Sequence, residues 1–428
     1  MNSEILFYKW SARDYKKFYS SVREILDMKS LQFYMPFFSL YFYIHNKPNA
    51  NHKIDMKRNF YLKEITEITK SRYYNSNMFL KGYVYNEKKN ITLEKEFFCK
   101  SIPLLDPIHI INNNYNLVNH NNYHLPSNYN HNTFYKINDI NNTAYIDVLC
   151  SFLFGNLTYH KKSPAFALFY GSVNGIGDYN YDLTEDYDDI KNDKCFNENI
   201  DKGFKLEIYV SDEEESDNDS NKEESDNDSN KEESDNDSNK EESDNDSNKE
   251  ESDNEDSFDD CIAKLTKIPT QLLFIEKLEG TLEDLLDENI DEETLSSCIF
   301  QISFALTYLQ KHYHFTHNDL HINNVMFLKT ESKYLYYKYN NLYYRVPCHG
   351  YIFKIIDFGR AIFTYHNKVY MNDVFSNYGE AGGQYTYPDQ VKFKIERERR
   401  YINPNYHFDL CRLSMTIIEE LDSDRYSE

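Results

Sequence analysis

Through residues 214–249 the nonapeptide Glu-Glu-Ser-Asp-Asn-Asp-Ser-Asn-Lys runs in four tandem copies, without one apolar side chain. Such a stretch has nothing to bury, so it cannot offset the entropy of being ordered and is expected to be disordered. The fold must therefore be assembled from the sequence on either side. The insert, about 211–257, should leave and re-enter at one surface loop. Length is no obstacle, because each doubling of a loop adds only about 0.6 kcal/mol of closure cost.

The repeat also accounts for the charge. The 428-residue chain has a formal net charge of −24, yet residues 211–260 alone hold 25 Asp/Glu against 4 Lys. The flanking sequence is thus close to neutral, and no basic surface for nucleic acid is indicated. Ser216, Ser220 and their repeats sit among acids, where an acid-directed kinase could modify them, and the run could recruit a basic partner. The plainer expectation is a solvated spacer.

Seven widely spaced cysteines with no Cys-x-x-Cys pair point to a reducing compartment, without a disulfide framework or zinc site. The apolar run over 31–44 is interrupted by Pro36 and falls short of the roughly 20 residues needed to cross a bilayer. Buried strands or a core helix are the expectation there, with no membrane role. The Met-Asn-Ser-Glu start lacks the pattern of a signal peptide, and Asn2 stands where myristoylation needs glycine. The expected location is cytoplasmic.

Periodicity outlines the elements. Ser11 and Asp14 form a capping-box pattern ahead of Tyr15, Phe18, Val22, Ile25 and Leu26, which recur at helical spacing. Strand-like runs over 79–85 and 92–100 flank a polar turn, and the Asn-rich stretch 111–142 reads as loop. A helix over 143–157, with Thr143 as cap, carries an apolar stripe from Ile146 to Leu157. Strands are expected at 166–173 and 271–275. A second helix, capped by Asp291, should run over 292–312, followed by an aromatic hairpin turning at Asn340-Asn341 and a strand over 351–356.

After that second helix comes His317-Asn-Asp319-Leu-His-Ile-Asn-Asn324, and after the strand Asp357-Phe358-Gly359. The two motifs, in this order and context, resemble the eukaryotic-type protein kinase superfamily. The similarity is closest to the divergent serine/threonine-protein kinases of large nucleocytoplasmic DNA viruses such as the mimiviruses, carried by residues 98–107, 169–172, 276–282, 315–321, 353–361 and 408–413. It spans about residues 79–420 outside the insert.

The resemblance implies an α+β, two-lobed fold. Residues 1–78 would form an N-terminal extension with a helical start, 79–280 a β-rich small lobe carrying the insert, and 281–428 a short, mainly helical large lobe. It implies an enzyme moving the γ-phosphate of ATP to a protein Ser/Thr hydroxyl with Mg2+, in host cytoplasm or virion. Asp319 would be the catalytic base, Asn324 and Asp357 the metal ligands, and Lys100 the holder of the α- and β-phosphates. Asp147 is the only helical acid offered as partner to Lys100. Ile275 would be the gatekeeper, with Glu276 to Leu278 contacting adenine, and Asp409 would steady the catalytic loop through its backbone N–H groups. Gly359 would let the backbone turn so that Asp357 faces the phosphates.

The chain departs from the family pattern. Gly82 is the only glycine in the first 100 residues, so no glycine-rich loop precedes Lys100. Asn318 stands where an Arg reads a phosphorylated activation loop, and His321 where a Lys steadies the transferring phosphate. No Ala-Pro-Glu closes the activation segment, and the sequence stops soon after Asp409, implying a minimal or C-terminally truncated lobe. These departures keep open a nucleotide-binding pseudokinase or interaction module. A small-molecule kinase of the aminoglycoside or choline type is opposed by Phe358-Gly359.

Overall fold

The computed structural model describes residues 4–6, 10–33, 53–55, 57–71, 76–115, 125–126, 135–209, 260–372, 374–375, 381 and 405–426. The acidic repeat lies outside them, as does most of the apolar run 31–44.

The chain is α+β. Short strands β1 (Glu4–Leu6) and β3 (Lys53–Asp55) pair in parallel. The main sheet is antiparallel, built from β2 (Lys29–Phe33), β4 (Phe60–Ser71), β5 (Met78–Asn86), β6 (Ile91–Pro103), β7 (Phe169–Asp182), β8 (Phe204–Tyr209) and β9 (Asp260–Glu276). Its order is β2-β7-β9-β6-β5-β4, with β8 also paired to β9. A boundary at 78/79 would cut into β5, and β4 pairs with β5 along its whole length, so the sheet starts well before residue 79.

Alternation along the strands sorts side chains between its two faces. Phe97 and Cys99 of β6, with Leu272 and Phe274 of β9, pack with Phe18 and Val22 of the Ala12–Ile25 helix. Ser11 caps that helix by accepting from the Asp14 N–H, as the sequence indicates. The intervening residues Phe98, Lys100, Leu273 and Ile275 point the other way.

Gly82 sits mid-strand, where a Cβ would collide with the Glu64 carbonyl oxygen, beside a bulge in β4. Its role is close backbone approach.

Tyr209 at the end of β8 stands opposite Asp260 at the start of β9. The residues that flank the acidic insert are therefore neighbours, the condition under which a fold can carry it.

Beneath the sheet runs the Thr143–Tyr159 helix, buried on nearly every side. Its cap is Asn142, whose side chain accepts from the Ala144 N–H, one residue before the expected Thr143. The 292–312 expectation becomes the Glu292–Tyr313 helix, capped by Asp291. Leu149, Phe154, Leu273, Ile302, Leu306 and Phe353 belong to one continuous core. Strands β10 (Gly280–Thr281), β11 (Val325–Lys329) and β14 (Tyr351–Ile355) form a small antiparallel sheet below it. Strands β12 (Tyr334–Tyr339) and β13 (Leu342–Pro347) make the expected hairpin, and Asn340 and Asn341 both have positive φ, as a two-residue turn of this twist requires. The Phe408–Tyr426 helix closes the described chain.

All seven cysteines are free thiols. Among the described residues no helix is long and apolar enough to cross a membrane.

Candidate functional site

The face of the sheet that carries Lys100 looks onto a cavity of about 440 Å3, within the range of small-ligand sites. Phe98, Leu273, Ile275 and Leu278 give it apolar walls, Met326 and Ile356 a floor, and Lys100, Asp147 and Asp357 polar groups at one end. Of the residues the sequence nominates, Lys100, Asp147, Ile275, Glu276, Leu278 and Asp357 all line this one space. Asp319 and Asn324 stand on the adjoining segment.

Lys100 Nζ lies 2.8 Å from Asp147 Oδ2 and 2.8 Å from Asp357 Oδ1. Burial disfavours the charged ammonium, but the two carboxylates outweigh it and raise the Lys100 pKa. Burial likewise opposes ionisation of Asp357, yet Lys100 and the nearby His317 hold its carboxyl down to about 2. One cation against two carboxylates leaves this end of the cavity with one negative charge in excess.

Asp147 does more than pair with the lysine. Its Oδ1 accepts the Phe358 N–H at 3.1 Å, joining strand, buried helix and the Asp357-Phe358-Gly359 turn at one carboxylate. The Phe358 ring packs against Phe154 of that helix at 5.1 Å and against His317 at 5.6 Å, which anchors the turn. The positive φ belongs to Asp357 itself, at 61°, rather than to Gly359. Gly359 is required for a different reason than expected, because a Cβ there would stand 2.8 Å from Thr143 Cγ2.

The segment from His317 to Asn324 is held from three directions. Asp409, fully buried, accepts the His317 N–H and the Asn318 N–H, each at 2.8 Å, the arrangement the resemblance implies. His317 Nε2 donates to the Ile356 carbonyl at 2.8 Å, leaving Nδ1 to accept the Asp319 N–H at 3.3 Å. Asn318, with φ of 67°, donates from Nδ2 to the Arg360 carbonyl at 2.9 Å and is buried as a turn former. That is its use in place of an arginine. Asn324 donates from Nδ2 to the Asp319 carbonyl and to His321 Nε2, each at 2.9 Å, and its Oδ1 has no partner among the described residues. Burial lowers the His321 pKa, against the pull of Asp319.

The oxygen donors suit a hard cation. Asn324 Oδ1 is uncommitted and the Asp357 carboxylate, 42% exposed, faces the cavity with its charge in excess. Among the described residues no group of three or more His, Cys, Asp or Glu gathers into a metal cage. Magnesium needs none, since it is typically held by one or two protein oxygens together with substrate phosphates.

Sequence reasoning missed three cations. Arg360 Nη1 and Arg412 Nη2 both lie 3.2 Å from Asp319 Oδ1. Lys354, almost fully buried, sits 3.2 Å from Glu276 Oε2 and donates to the Phe166 carbonyl at 2.8 Å, fixing the wall that carries Glu276. Burial lowers its pKa, partly countered by Glu276. All three residues fall inside the quoted motif stretches, but no sequence spacing links them to their carboxylates.

No family model matches the chain. Over 114 residues, 27% of the chain, it is 28% identical to the serine/threonine-protein kinase haspin of Mus musculus. The similarity points to the protein kinase superfamily. It covers 15% of haspin, so it reaches only part of that protein.

Proposed function

We propose that the chain is an ATP-dependent protein kinase with two lobes, the main sheet above the cleft and the helical part below, acting on a Ser or Thr hydroxyl of a protein. The observation that carries this reading is the Lys100 ammonium, 2.8 Å from both Asp147 and Asp357 at the polar end of an otherwise apolar cavity. The apolar walls suit an adenine ring, with backbone groups from Glu276 to Leu278 at its edge and Ile275 behind it. Lys100 would hold the α- and β-phosphate oxygens. Asn324 and Asp357 would hold magnesium, which neutralises phosphate charge when bound. Asp319 would orient the acceptor hydroxyl and take its proton.

One feature favours a second reading, a nucleotide-binding pseudokinase. Asn77 lines the cavity together with Lys100, and the sequence from Arg72 to Asn77 contains no glycine. Without glycine a backbone cannot approach phosphates as closely.

Transfer from radiolabelled Mg-ATP to a protein mixture and to the chain itself separates the two. We expect transfer that falls roughly a hundredfold or more in Asp319→Ala. Absence of transfer, combined with Mg-dependent ATP binding that Asp357→Ala abolishes, would replace the enzyme by the pseudokinase.

A further inference from the structure

The aromatic hairpin β12–β13 takes no part in the site described above. Strand β11 starts beside Asn324 and meets the hairpin at its other end, Lys329, and β14 runs back from Tyr351 toward Asp357. The hairpin therefore stands at the end of the small sheet away from the cleft. One of its faces is anchored. Tyr337 packs on Phe300 and Phe304 of the Glu292–Tyr313 helix, with ring centroids 5.6 and 4.5 Å apart, and Tyr344 packs on Phe300 at 5.8 Å. A two-stranded hairpin is marginal by itself, so this packing is what fixes it in place.

The opposite face is open. The register pairs Tyr336 with Arg345 and Lys338 with Tyr343, and strand alternation adds Tyr334 to the same side. Tyr336 and Tyr343 are each 75% exposed and Tyr334 is 40% exposed, an aromatic surface that the fold does not use. Lys338 and Arg345 are exposed between the rings. Lys338 Nζ stands 5.1 Å from the centre of the Tyr343 ring, and the Arg345 guanidinium 4.7 Å from that of Tyr334. Neither strand contains an acidic residue. Glu292 and Glu293 share a groove with Tyr343 and Arg345 at one edge, and the rest of the face carries cations only.

Rings and cations ask different things of a ligand. The rings need flat apolar partners, and the cations need negative charge. An acidic peptide supplies the charge without the rings, and the core of a protein interface is ordinarily depleted in lysine. A single strand of nucleic acid offers a planar base and a phosphate in every unit. Tyr336 and Tyr343 are diagonal neighbours across the ladder, roughly 7–8 Å apart, so each ring has space for its own base. The near-neutral average of the sequence outside the acidic insert hides this local face.

We propose that the outer face of the β12–β13 hairpin binds single-stranded nucleic acid, with bases stacked on Tyr336 and Tyr343 and phosphates held by Lys338 and Arg345. The proposal stands apart from the kinase reading, because the face lies outside the cleft.

The test uses the full chain and the fluorescence anisotropy of labelled oligouridylate and oligothymidylate of about 20 nucleotides at low salt. We expect binding that weakens at least tenfold when Tyr336→Ala and Tyr343→Ala are combined, and less than threefold when both are changed to Phe, which keeps the rings. Combining Lys338→Ala with Arg345→Ala should reduce the slope of log affinity against log salt by about 1.4, the amount due to two phosphates of a single strand. The substituted side chains are exposed, so the urea midpoint should stay that of the parent; were the alanine pair of tyrosine variants to unfold, the Lys338 and Arg345 pair decides. A preference between the two oligomers tells RNA from DNA. Absence of binding overturns the proposal, as does a loss below tenfold in the alanine pair, an equal loss in the phenylalanine pair, or an unchanged salt slope. Displacement by polyglutamate as effective as by unlabelled oligomer also overturns it, and makes the face a site for acidic protein instead.

Discussion

The two polar ends of the cleft are built from different material. At the Lys100 end, one ammonium faces two carboxylates, and the parts come from a central strand, a helix buried on nearly every side and a turn pinned by the Phe358 ring. At the Asp319 end, one carboxylate faces two guanidiniums brought in by a partly exposed turn and by the helix that closes the described chain. The first end is part of the core, so a change there should disturb packing and chemistry together. The second is tied to the core by hydrogen bonds from Asp409, His317 and Asn318, while its arginines are partly exposed, so changing an arginine side chain there should disturb packing less.

The largest effect should come from Asp147, which joins strand, helix and turn. In Asp147→Asn the Lys100 ammonium keeps Asp357 but loses its buried carboxylate, and the loss of such a charge-assisted hydrogen bond costs about 3 kcal/mol. We expect a lower urea midpoint together with loss of measurable ATP binding by calorimetry. Unaltered stability with reduced binding would break the comparison, because the Lys100 end would then be as detachable as the other.

Next in size is the pair that holds the wall of the cavity. Lys354→Met leaves Glu276 facing a low-dielectric interior, and a loss of about 2–3 kcal/mol in urea unfolding is expected, largely recovered in the double variant with Glu276→Gln. Equal losses in the single and double variants would show that Lys354 acts through its bonds to the Pro164 and Phe166 carbonyls instead.

The smallest effect is the pH dependence of the Asp357 pairing. Its carboxyl sits at about 2 in the folded chain, against roughly 3.9 when unfolded. A depressed carboxylate contributes stability above the unfolded value and loses it as pH falls through the folded one. The difference in urea midpoint between the parent and Asp357→Asn should therefore be constant from pH 6 to 5 and narrow steadily below about pH 4. A gap that widens on acidification would reverse the assigned sign and place the proton elsewhere in the Lys100 cluster.

Much of this was legible because the signals are local. Capping side chains at Ser11 and Asp291, the Asn340-Asn341 turn and the alternation of 92–100 each act over a few residues, and the structure returns them with small shifts in boundary. The long strands were underestimated. The expected 271–275 is the end of β9, whose first half pairs with β7 and β8 and owes its extension to those neighbours. Gly359 was assigned to backbone freedom, whereas the left-handed conformation falls on Asp357 and the glycine makes room for Thr143, a residue more than 200 positions earlier.

By itself the sequence determined which residues could carry chemistry, that the acidic repeat offers no apolar side chain to a core, and that 92–100 would form a strand. Composition and periodicity are sufficient for these because they depend on side-chain type and on a repeat of two or 3.6 residues. Only the tertiary structure decided partnership. Asp147 meets Lys100 from 47 positions away, Arg412 and Arg360 converge on one oxygen of Asp319 from different elements, and Lys354 finds Glu276 across the cavity wall. Charge pairing follows distance in space, and the packing of buried faces that sets those distances leaves no spacing in the chain to read.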